Sequence, residues 1–216
     1  MGGSVLELGV KSLIAYLLGS VSGSLLLGRL RGVDIRELGS GNAGGTNALR
    51  TQGWQFALAV MVIDVGKAVL AAGVVPDLDL PFIGIKPRLD RQWLAVACAI
   101  AVVVGHVYPL WYEFRGGKGA ATLIGAVAVL APAALVPVLA VWLATVMLTG
   151  FVGLGTMLAS LALPVYFALD RPVDAALLSF GVLMAAFVIY THRANVARMR
   201  AGNESRARRL WLLRPR

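Results

Sequence analysis

Residues 39 to 47 read Gly-Ser-Gly-Asn-Ala-Gly-Gly-Thr-Asn, and Arg50 follows them. The glycines let the backbone take positive φ and approach a ligand closely, so that successive N–H groups can form a concave anion site. A helix begins within a few residues, and its N-terminus adds partial positive charge. We assign to this candidate phosphate site Gly39, Ser40, Gly41, Asn42, Gly44, Gly45, Thr46, Asn47 and Arg50. The alternative is a flexible connection, and the spacing is not that of a nucleotide-binding P-loop.

A second glycine-rich segment, residues 115 to 119, reads Arg-Gly-Gly-Lys-Gly at the start of another helix. Gly116, Gly117 and Gly119 suit a second phosphate cradle, because they keep the backbone open to a ligand. Lys118 adds a point charge on a flexible stem. His106, which precedes this segment, is either a general base or, as we favour, a structural residue at a helix end.

Two further polar pairs have helical spacing. His192 and Asn195 are three apart and share one helical face, where Asn195 suits orienting a substrate hydroxyl or phosphate. The alternative there is an interfacial cap flanked by arginines that reach toward the headgroups. Asp64 and Lys67 lie inside an apolar stretch, where isolated charges are costly. For them we favour an internal ion pair that braces the loop region over a direct catalytic role for Asp64.

The composition excludes an ordinary soluble domain. The chain has 216 residues, of which 58% are hydrophobic and 14% charged, whereas soluble chains carry roughly 25% charged residues. The lipid bilayer is therefore the expected solvent. The net charge of +9 does not indicate nucleic acid, because eight of the 20 Lys and Arg residues are arginines that follow Tyr190, where they face anionic headgroups. Cys98 is the single cysteine, which excludes an internal disulfide.

The apolar segments predict an all-α integral membrane protein with about seven helices. Their approximate ranges are 5–28, 54–75, 93–112, 120–132, 134–149, 153–169 and 173–192. The first is read as a retained membrane helix, because no basic region or cleavage signature accompanies it. We expect a single transmembrane domain over residues 1–192 and a basic cytoplasmic tail over 193–216.

The positive-inside rule orients the helices. With the tail in the cytoplasm, seven helices place the N-terminus outside and the loops at 29–52 and 113–119 inside. Those loops carry Arg29, Arg31, Arg36, Arg50, Arg115 and Lys118. The loop at 76–91 mixes both signs of charge, including Lys86 and Arg88. All three groups of polar motifs are thereby predicted on the cytoplasmic face.

The segments GSGNAGGTNALR, DVGK, GHVYPLWYEFRGGKGAAT and HRANVARMRAGNE occur in this order. In these motifs, and over nearly its whole length, the chain resembles the bacterial acyl-phosphate:glycerol-3-phosphate acyltransferases of the PlsY type. The resemblance implies transfer of a fatty acyl group from acyl phosphate to the 1-hydroxyl of glycerol 3-phosphate, giving lysophosphatidic acid for phospholipid biosynthesis in the bacterial inner membrane. It implies no cofactor and no metal. The implied partners are the two substrates and membrane lipids, and the soluble enzyme that supplies acyl phosphate is a further candidate.

The resemblance also implies residue roles. Residues 39–47 would hold the phosphate of the acyl phosphate, while Ser40, Arg50 and Lys118 would bind glycerol phosphate and steady developing charge. His192 and Asn195 would line the same site. The chain departs from the family at Ala43, where proline is usual, and at Gly45, where alanine is usual. It also lacks the arginine that the family often has near residues 149–156.

The motifs contain few titratable groups, and none is obviously placed to remove the hydroxyl proton. We therefore hypothesise that a phosphate oxygen of the acyl phosphate takes it. Two other functions remain as alternatives: a small transporter of phosphate or organophosphate, and a lipid-binding scaffold. Transporters usually show repeated halves and polar sites at the membrane midplane, whereas these motifs cluster on one predicted face.

Overall fold

A computed structural model of the protein describes residues 2–80 and 89–213. The described residues are helical, with turns and short 3-10 segments between the helices, which confirms the all-α prediction. The chain forms two compact units, the first ending at Leu130 and the second beginning at Ala131. The predicted division at residue 192 stays a prediction. Of the predicted loop charges, Lys86 and Arg88 lie outside the described residues.

Over its described residues, the first unit contains six α-helices. They are α1 (Gly2–Gly19), α2 (Gly23–Leu30), α3 (Gly45–Gln52), α4 (Trp54–Gly73), α5 (Arg91–Val107) and α6 (Ala120–Leu130). Asp90 caps α5 by accepting hydrogen bonds from the N–H groups of Gln92 and Trp93 at 2.9 and 3.2 Å. Helix α1 packs on α5, and α4 packs on α6, α3 and α5.

Glycines allow two of these helix pairs to approach closely. A Cβ on Gly105 of α5 would collide with the carbonyl oxygen of Tyr16 in α1, and one on Gly125 of α6 would collide with that of Val65 in α4. Small residues at such crossings bring helix backbones together, and close packing is the main attraction between helices in lipid. The α1–α5 and α4–α6 contacts hold the glycine-rich loops on a tightly packed frame.

The first apolar segment is not one continuous helix, contrary to the sequence-based expectation. It breaks after Gly19, and α1 and α2 are bent by 44°. Two charged residues of α4 occupy the break: Lys67 Nζ donates to the carbonyl oxygens of Gly19 and Val21 at 2.9 and 2.8 Å, and the N–H of Gly23 donates to Asp64 Oδ1 at 3.1 Å. The break leaves backbone groups without helical partners, and the two side chains satisfy them.

The charge-free tract divides into α6 and two helices of the second unit, as the sequence predicts. The helices of that unit are α7 (Leu135–Thr149), α8 (Val152–Leu169), α9 (Ala175–Thr191) and α10 (Arg193–Arg200). Gly150 ends α7 with a φ of 76°, a left-handed conformation that favours glycine. The basic tail begins as a helix, since α10 follows α9 after a bend of 48°.

Residues 206–212 of the tail fold back onto the end of α7. Four carbonyl groups at this end accept hydrogen bonds from the tail at 2.7 to 3.3 Å, and the bonds are Leu212 N to Met147 O, Trp211 Nε1 to Leu148 O, Arg206 Nη1 to Thr149 O and Ala207 N to Gly150 O. The guanidinium of Arg206 stacks on the rings of Trp211 and Phe151 at 4.1 and 4.4 Å. The tail thus caps carbonyls that a helix end leaves unpaired.

The apolar helices are those of an integral membrane protein. Within the described ranges, four helical stretches are long and apolar enough to cross a membrane, and two bent pairs, α1 with α2 and α9 with α10, bring the number to six. The four stretches are Trp54–Asp77, Arg91–Tyr112, Pro132–Thr149 and Val152–Leu169. Helix α6 corresponds to the fourth of the seven predicted segments, and it is shorter than a full span.

Candidate active site

The first glycine-rich segment is a structured turn that leads into α3. Gly39 and Gly41 take φ values of 58° and 71°, which favour glycine because a Cβ is strained there. A Cβ on Gly39 would also collide with Oδ1 of Asn47. This segment therefore has a defined backbone shape and is not the flexible connection considered as the alternative.

Asn47 holds this turn in shape. The side chain is 1% exposed, and its Nδ2 donates to the carbonyl oxygens of Leu38 and Ile35 at 2.9 and 3.1 Å. Its Oδ1 accepts from the N–H of Ser40 at 2.9 Å. Both amide protons of Asn47 are engaged within the loop, so the side chain shapes the turn and does not offer the donor to a substrate that its residue type suggested.

Several groups of the same segment face solvent at the start of α3. Ser40, Thr46 and Arg50 are exposed, and Asn42 is half-buried. Thr46 and Arg50 are four apart and lie on one face of the helix. The first N–H groups of a helix have no partner within it, and Gly44 provides no side-chain cap for α3. Backbone donors, two hydroxyls and a guanidinium are thus presented to an anion.

The second segment, residues 116 to 119, closes the end of α5 and begins α6. The N–H groups of Gly116 and Gly117 donate to the carbonyl oxygens of Val107 and His106 at 3.0 and 3.1 Å. These two N–H groups are consequently not open to a phosphate, contrary to the sequence-based expectation of a cradle. Gly119 takes a φ of 91° just before α6, and Lys118 between them is half-buried. The first turn of α6 follows directly, and the N–H groups of a first turn have no partner within their helix.

The two glycine-rich segments touch each other at Gly117. A Cβ on this residue would lie 2.9 Å from the carbonyl oxygen of Ala43 and would collide with Nε2 of His106. Only glycine lets the second segment lie against the first and against the imidazole. The structure therefore brings the loop that carries Arg50 and the loop that carries Lys118 together, and both belong to one candidate site.

Beneath this contact lies a buried cluster of Asp64, Lys67 and His106, which are 0%, 6% and 2% exposed. Nζ of Lys67 is 3.0 Å from Oδ1 of Asp64 and 2.9 Å from Nδ1 of His106. The ion pair favoured from the sequence is present and braces the break between α1 and α2. His106 extends it to the second glycine-rich segment.

Arg36 makes a second link, from the first loop to the residues just before the second. From the sequence, Arg36 was counted only among the loop charges that orient the helices. It forms a bidentate pair with Asp34, with Nε at 3.0 Å from both carboxylate oxygens and Nη2 at 2.7 Å from Oδ2. Its Nη1 donates to the carbonyl oxygen of Tyr112 at 3.2 Å. The hydrogen bond from Arg36 lowers the pKa of the Asp34 carboxyl, and the same contact raises the pKa of Arg36. The pair stays ionised at neutral pH.

In the second unit, His192 and Asn195 lie at the junction of α9 and α10 and are 5% and 7% exposed. Nδ2 of Asn195 donates to Oε1 of Glu204 at 2.7 Å, and Nε of Arg198 donates to Oε2 of the same carboxylate at 2.6 Å. Glu204 ends the last of the quoted motifs, but no role was predicted for it from the sequence. The signal was present, because Glu204 is the only acidic residue after Asp174 in an arginine-rich stretch.

The backbone sets the tautomer of His192. Nδ1 lies 2.8 Å from the carbonyl oxygen of Val188, which can only accept a hydrogen bond. Nδ1 therefore carries the proton, and Nε2 is the acceptor of the neutral ring. This arrangement suits accepting a hydrogen bond or a proton.

Comparison with known proteins gives a consistent result. Residues 10–202 match the model of a family described as glycerol-3-phosphate acyltransferase. Relatives with that name in Chlorobaculum parvum and Chlorobaculum tepidum are 38% and 37% identical to the chain, and each alignment covers 89% of this chain and 93% of the relative. The crystal structure of PlsY (YgiH), an integral membrane glycerol 3-phosphate acyltransferase, in its glycerol 3-phosphate form superposes with a TM-score of 0.78 at 29% identity, covering 92% of this chain and 94% of that one. Its lysophosphatidic acid form gives a TM-score of 0.76.

Proposed function

The chain belongs to the glycerol-3-phosphate acyltransferase family, and we propose that it transfers a fatty acyl group from an acyl phosphate to the 1-hydroxyl of glycerol 3-phosphate. The products are 1-acyl-glycerol 3-phosphate and phosphate. The observation that carries this proposal is the contact of the two glycine-rich segments at Gly117 and Ala43. It places two cationic loops, which suit two phosphate-bearing substrates, side by side.

The two anionic substrates repel each other, so the site must offset charge as well as orient the reactants. The turn over residues 39–47 and the first turn of α3 hold the phosphate of the acyl phosphate by backbone N–H groups. Ser40, Arg50 and Lys118 bind glycerol 3-phosphate and stabilise charge that develops on the acyl carbonyl oxygen. Asn47 and Arg36 act indirectly, because their hydrogen bonds shape the loops.

In the reaction, the 1-hydroxyl oxygen of glycerol 3-phosphate bonds to the acyl carbonyl carbon, and the bond from that carbon to the phosphate oxygen breaks. The phosphate leaves with the electron pair, and one of its oxygens takes the hydroxyl proton. The donor is an activated mixed anhydride, so positioning and charge stabilisation supply most of what the reaction requires. No cofactor takes part in this scheme.

His192 and Asn195 contribute to the reaction in this proposal. The resemblance of the motif that contains them supports this, as does the defined tautomer of His192. Replacing His192 with alanine tests the proton transfer. A variant that binds glycerol 3-phosphate as well as the native protein but shows no turnover would make Nε2 of His192 the base in place of the donor phosphate.

The site faces the cytoplasm in this proposal, in the bacterial inner membrane, with the N-terminus outside. Cys98 is 0% exposed and is the single cysteine, so introduced thiols can be labelled selectively. Glu37→Cys in the first polar loop and Asp79→Cys in the opposite loop would both be exposed. A membrane-impermeant maleimide added to intact spheroplasts should label only the cysteine at 79. Labelling of the cysteine at 37 instead would reverse the orientation.

The decisive experiment assays the purified protein in detergent with palmitoyl phosphate and radiolabelled glycerol 3-phosphate. Palmitoyl-CoA as donor and EDTA as an additive run in parallel. Lysophosphatidic acid formed from palmitoyl phosphate alone, with or without EDTA, would support the donor, the reaction and the absence of a metal requirement together. Folded protein that forms no product from any donor would contradict the proposal, and uptake of glycerol 3-phosphate into liposomes would then test a transporter.

A further inference from the structure

His106 joins the buried ion pair of α4 to the glycine-rich segment that carries Lys118. The residue is 2% exposed and lies in the last turn of α5. The groups that face its ring come from α4 and from the residues before α6: Asp64, Lys67 and the backbone of Gly117. It is thus a connection between the membrane interior and the candidate site.

One edge of the imidazole is fixed by the ion pair. Nδ1 lies 2.9 Å from Nζ of Lys67 and 3.4 Å from Oδ1 of Asp64. An ammonium group only donates hydrogen bonds, so Nδ1 is the acceptor and the proton of the neutral ring is on Nε2. Lys67 and Asp64 are themselves held by the backbone at the break between α1 and α2. The ring therefore has a rigid support.

The other edge of the imidazole lies against the substrate loops. A Cβ on Gly117 would collide with Nε2, and the N–H of Gly117 donates to the carbonyl oxygen of His106 at 3.1 Å. The ring and the backbone of His106 both contact Gly117, the residue directly before Lys118. The carbonyl oxygen of Ala43 borders the same point.

We propose that His106 is a positioning residue: it rests on the Asp64–Lys67 pair and fixes the backbone of Gly117, which sets where Lys118 presents its ammonium group to glycerol 3-phosphate. The inference rests on the proposed function for the identity of that substrate. It assigns no proton transfer to His106. The imidazole has two separable contacts, one toward Lys67 and one toward Gly117.

Two substitutions separate these contacts. His106→Asn places a carbonyl oxygen near the position of Nδ1, which keeps an acceptor for Lys67 and empties the space beside Gly117. His106→Gln places its amide near the position of Nε2, which keeps a group beside Gly117 and removes the acceptor for Lys67. The two variants have similar polarity, so each is the control for the other.

We expect the asparagine variant to unfold at nearly the native temperature and to raise the KM for glycerol 3-phosphate at least tenfold, with a much smaller change in the KM for palmitoyl phosphate. The glutamine variant should lower the unfolding temperature and keep a KM for glycerol 3-phosphate closer to native. A native KM in the asparagine variant, or kinetic losses in both variants that simply follow their stability, would overturn the proposal.

A second measurement does not depend on turnover. Amide hydrogen exchange over residues 116–119 should quicken at least tenfold in the asparagine variant, while α3 stays as protected as in the native protein. Unchanged exchange would refute the positioning role even in a protein that proved inactive. If the native protein showed no transferase activity while exchange was still quickened in the asparagine variant, the proposed function would be refuted. The contact between His106 and Gly117 would then remain established.

Discussion

Asn195 donates from Nδ2 to Oε1 of Glu204 at 2.7 Å, and the other oxygen of Glu204 accepts from Arg198. The carboxylate therefore orients an amide and neutralises a cation at once. We expect Glu204→Ala to lose about 1–3 kcal/mol of stability, because it removes charge-assisted hydrogen bonds and leaves a mostly buried amide without this partner. Glu204→Gln retains an acceptor and should lose less. Thermal unfolding measures the stability of both variants, and the transferase assay measures their activity. An alanine variant indistinguishable from native protein would contradict this role.

Asn47 should be as important for activity as the residues that touch substrate, although its side-chain amide makes its hydrogen bonds within the loop. Asn47→Ala removes three hydrogen bonds from a residue that is 1% exposed. We expect a loss of about 1–3 kcal/mol in stability and of most activity, because the 39–47 turn loses its internal support. Thr51→Val is the control, since Thr51 makes only a local bond to the carbonyl of Asn47. Equal activity losses in the two variants would argue against this role.

Two glycines of the same segment should respond differently to alanine. Gly39→Ala places a Cβ at a φ of 58° and against Oδ1 of Asn47, so it should cost about 1–2 kcal/mol or more and reduce activity strongly. A Cβ on Gly45 meets only the flexible side chain of Met61, with Sδ at 3.1 Å and Cγ at 3.6 Å. The activity of the Gly45→Ala variant should stay within about twofold of native, and its stability should hold or rise, because alanine restricts the unfolded chain. Steady-state kinetics and thermal unfolding of both proteins decide the comparison.

Lys118→Ala should reduce kcat/KM by about 100-fold or more, because it removes a positive charge from the site where negative charge develops in the transition state. Arg115→Gln is the matched control, since Arg115 is an exposed cation of the same segment and solvent screens exposed charges. The control should stay within about threefold of native. A Lys118→Ala protein with full activity would refute the assigned substrate contacts.

The tail that caps α7 should depend on Trp211. Trp211→Ala removes the ring beneath Arg206 and the indole donor to Leu148, and stacking of this kind contributes about 0.5–1 kcal/mol at an exposed site. We expect trypsin to cleave after Arg208 and Arg209 several times faster than in native protein. Leu212→Ala is the control, because that side chain is 66% exposed and its backbone bond is retained. Equal cleavage rates in the two variants would show that the stack does not hold the tail.

The helical segments were largely predictable because each follows from local composition. The tract from Ala120 to Leu169 divides near Pro132 and Gly150. Proline disrupts a continuous helix, and glycine readily takes the left-handed conformation that ends one. The break after Gly19 was not predictable in this way. It depends on Lys67 and Asp64, which are distant in sequence and supply the hydrogen bonds that the broken helix lacks.

By itself, the sequence determined the membrane character, the order of the helices, the glycine-rich cationic motifs and the family, because these depend on residue type and spacing. Only the tertiary structure decided which groups of the motifs remain open to a ligand. Gly116, Gly117 and Asn47 were expected to donate to phosphate, yet their hydrogens bond to carbonyl groups of the protein. A residue type shows that a group can donate, but the acceptor it meets depends on which backbone carbonyls the fold brings within reach, and for Gly117 that acceptor is the carbonyl of His106 at the end of α5.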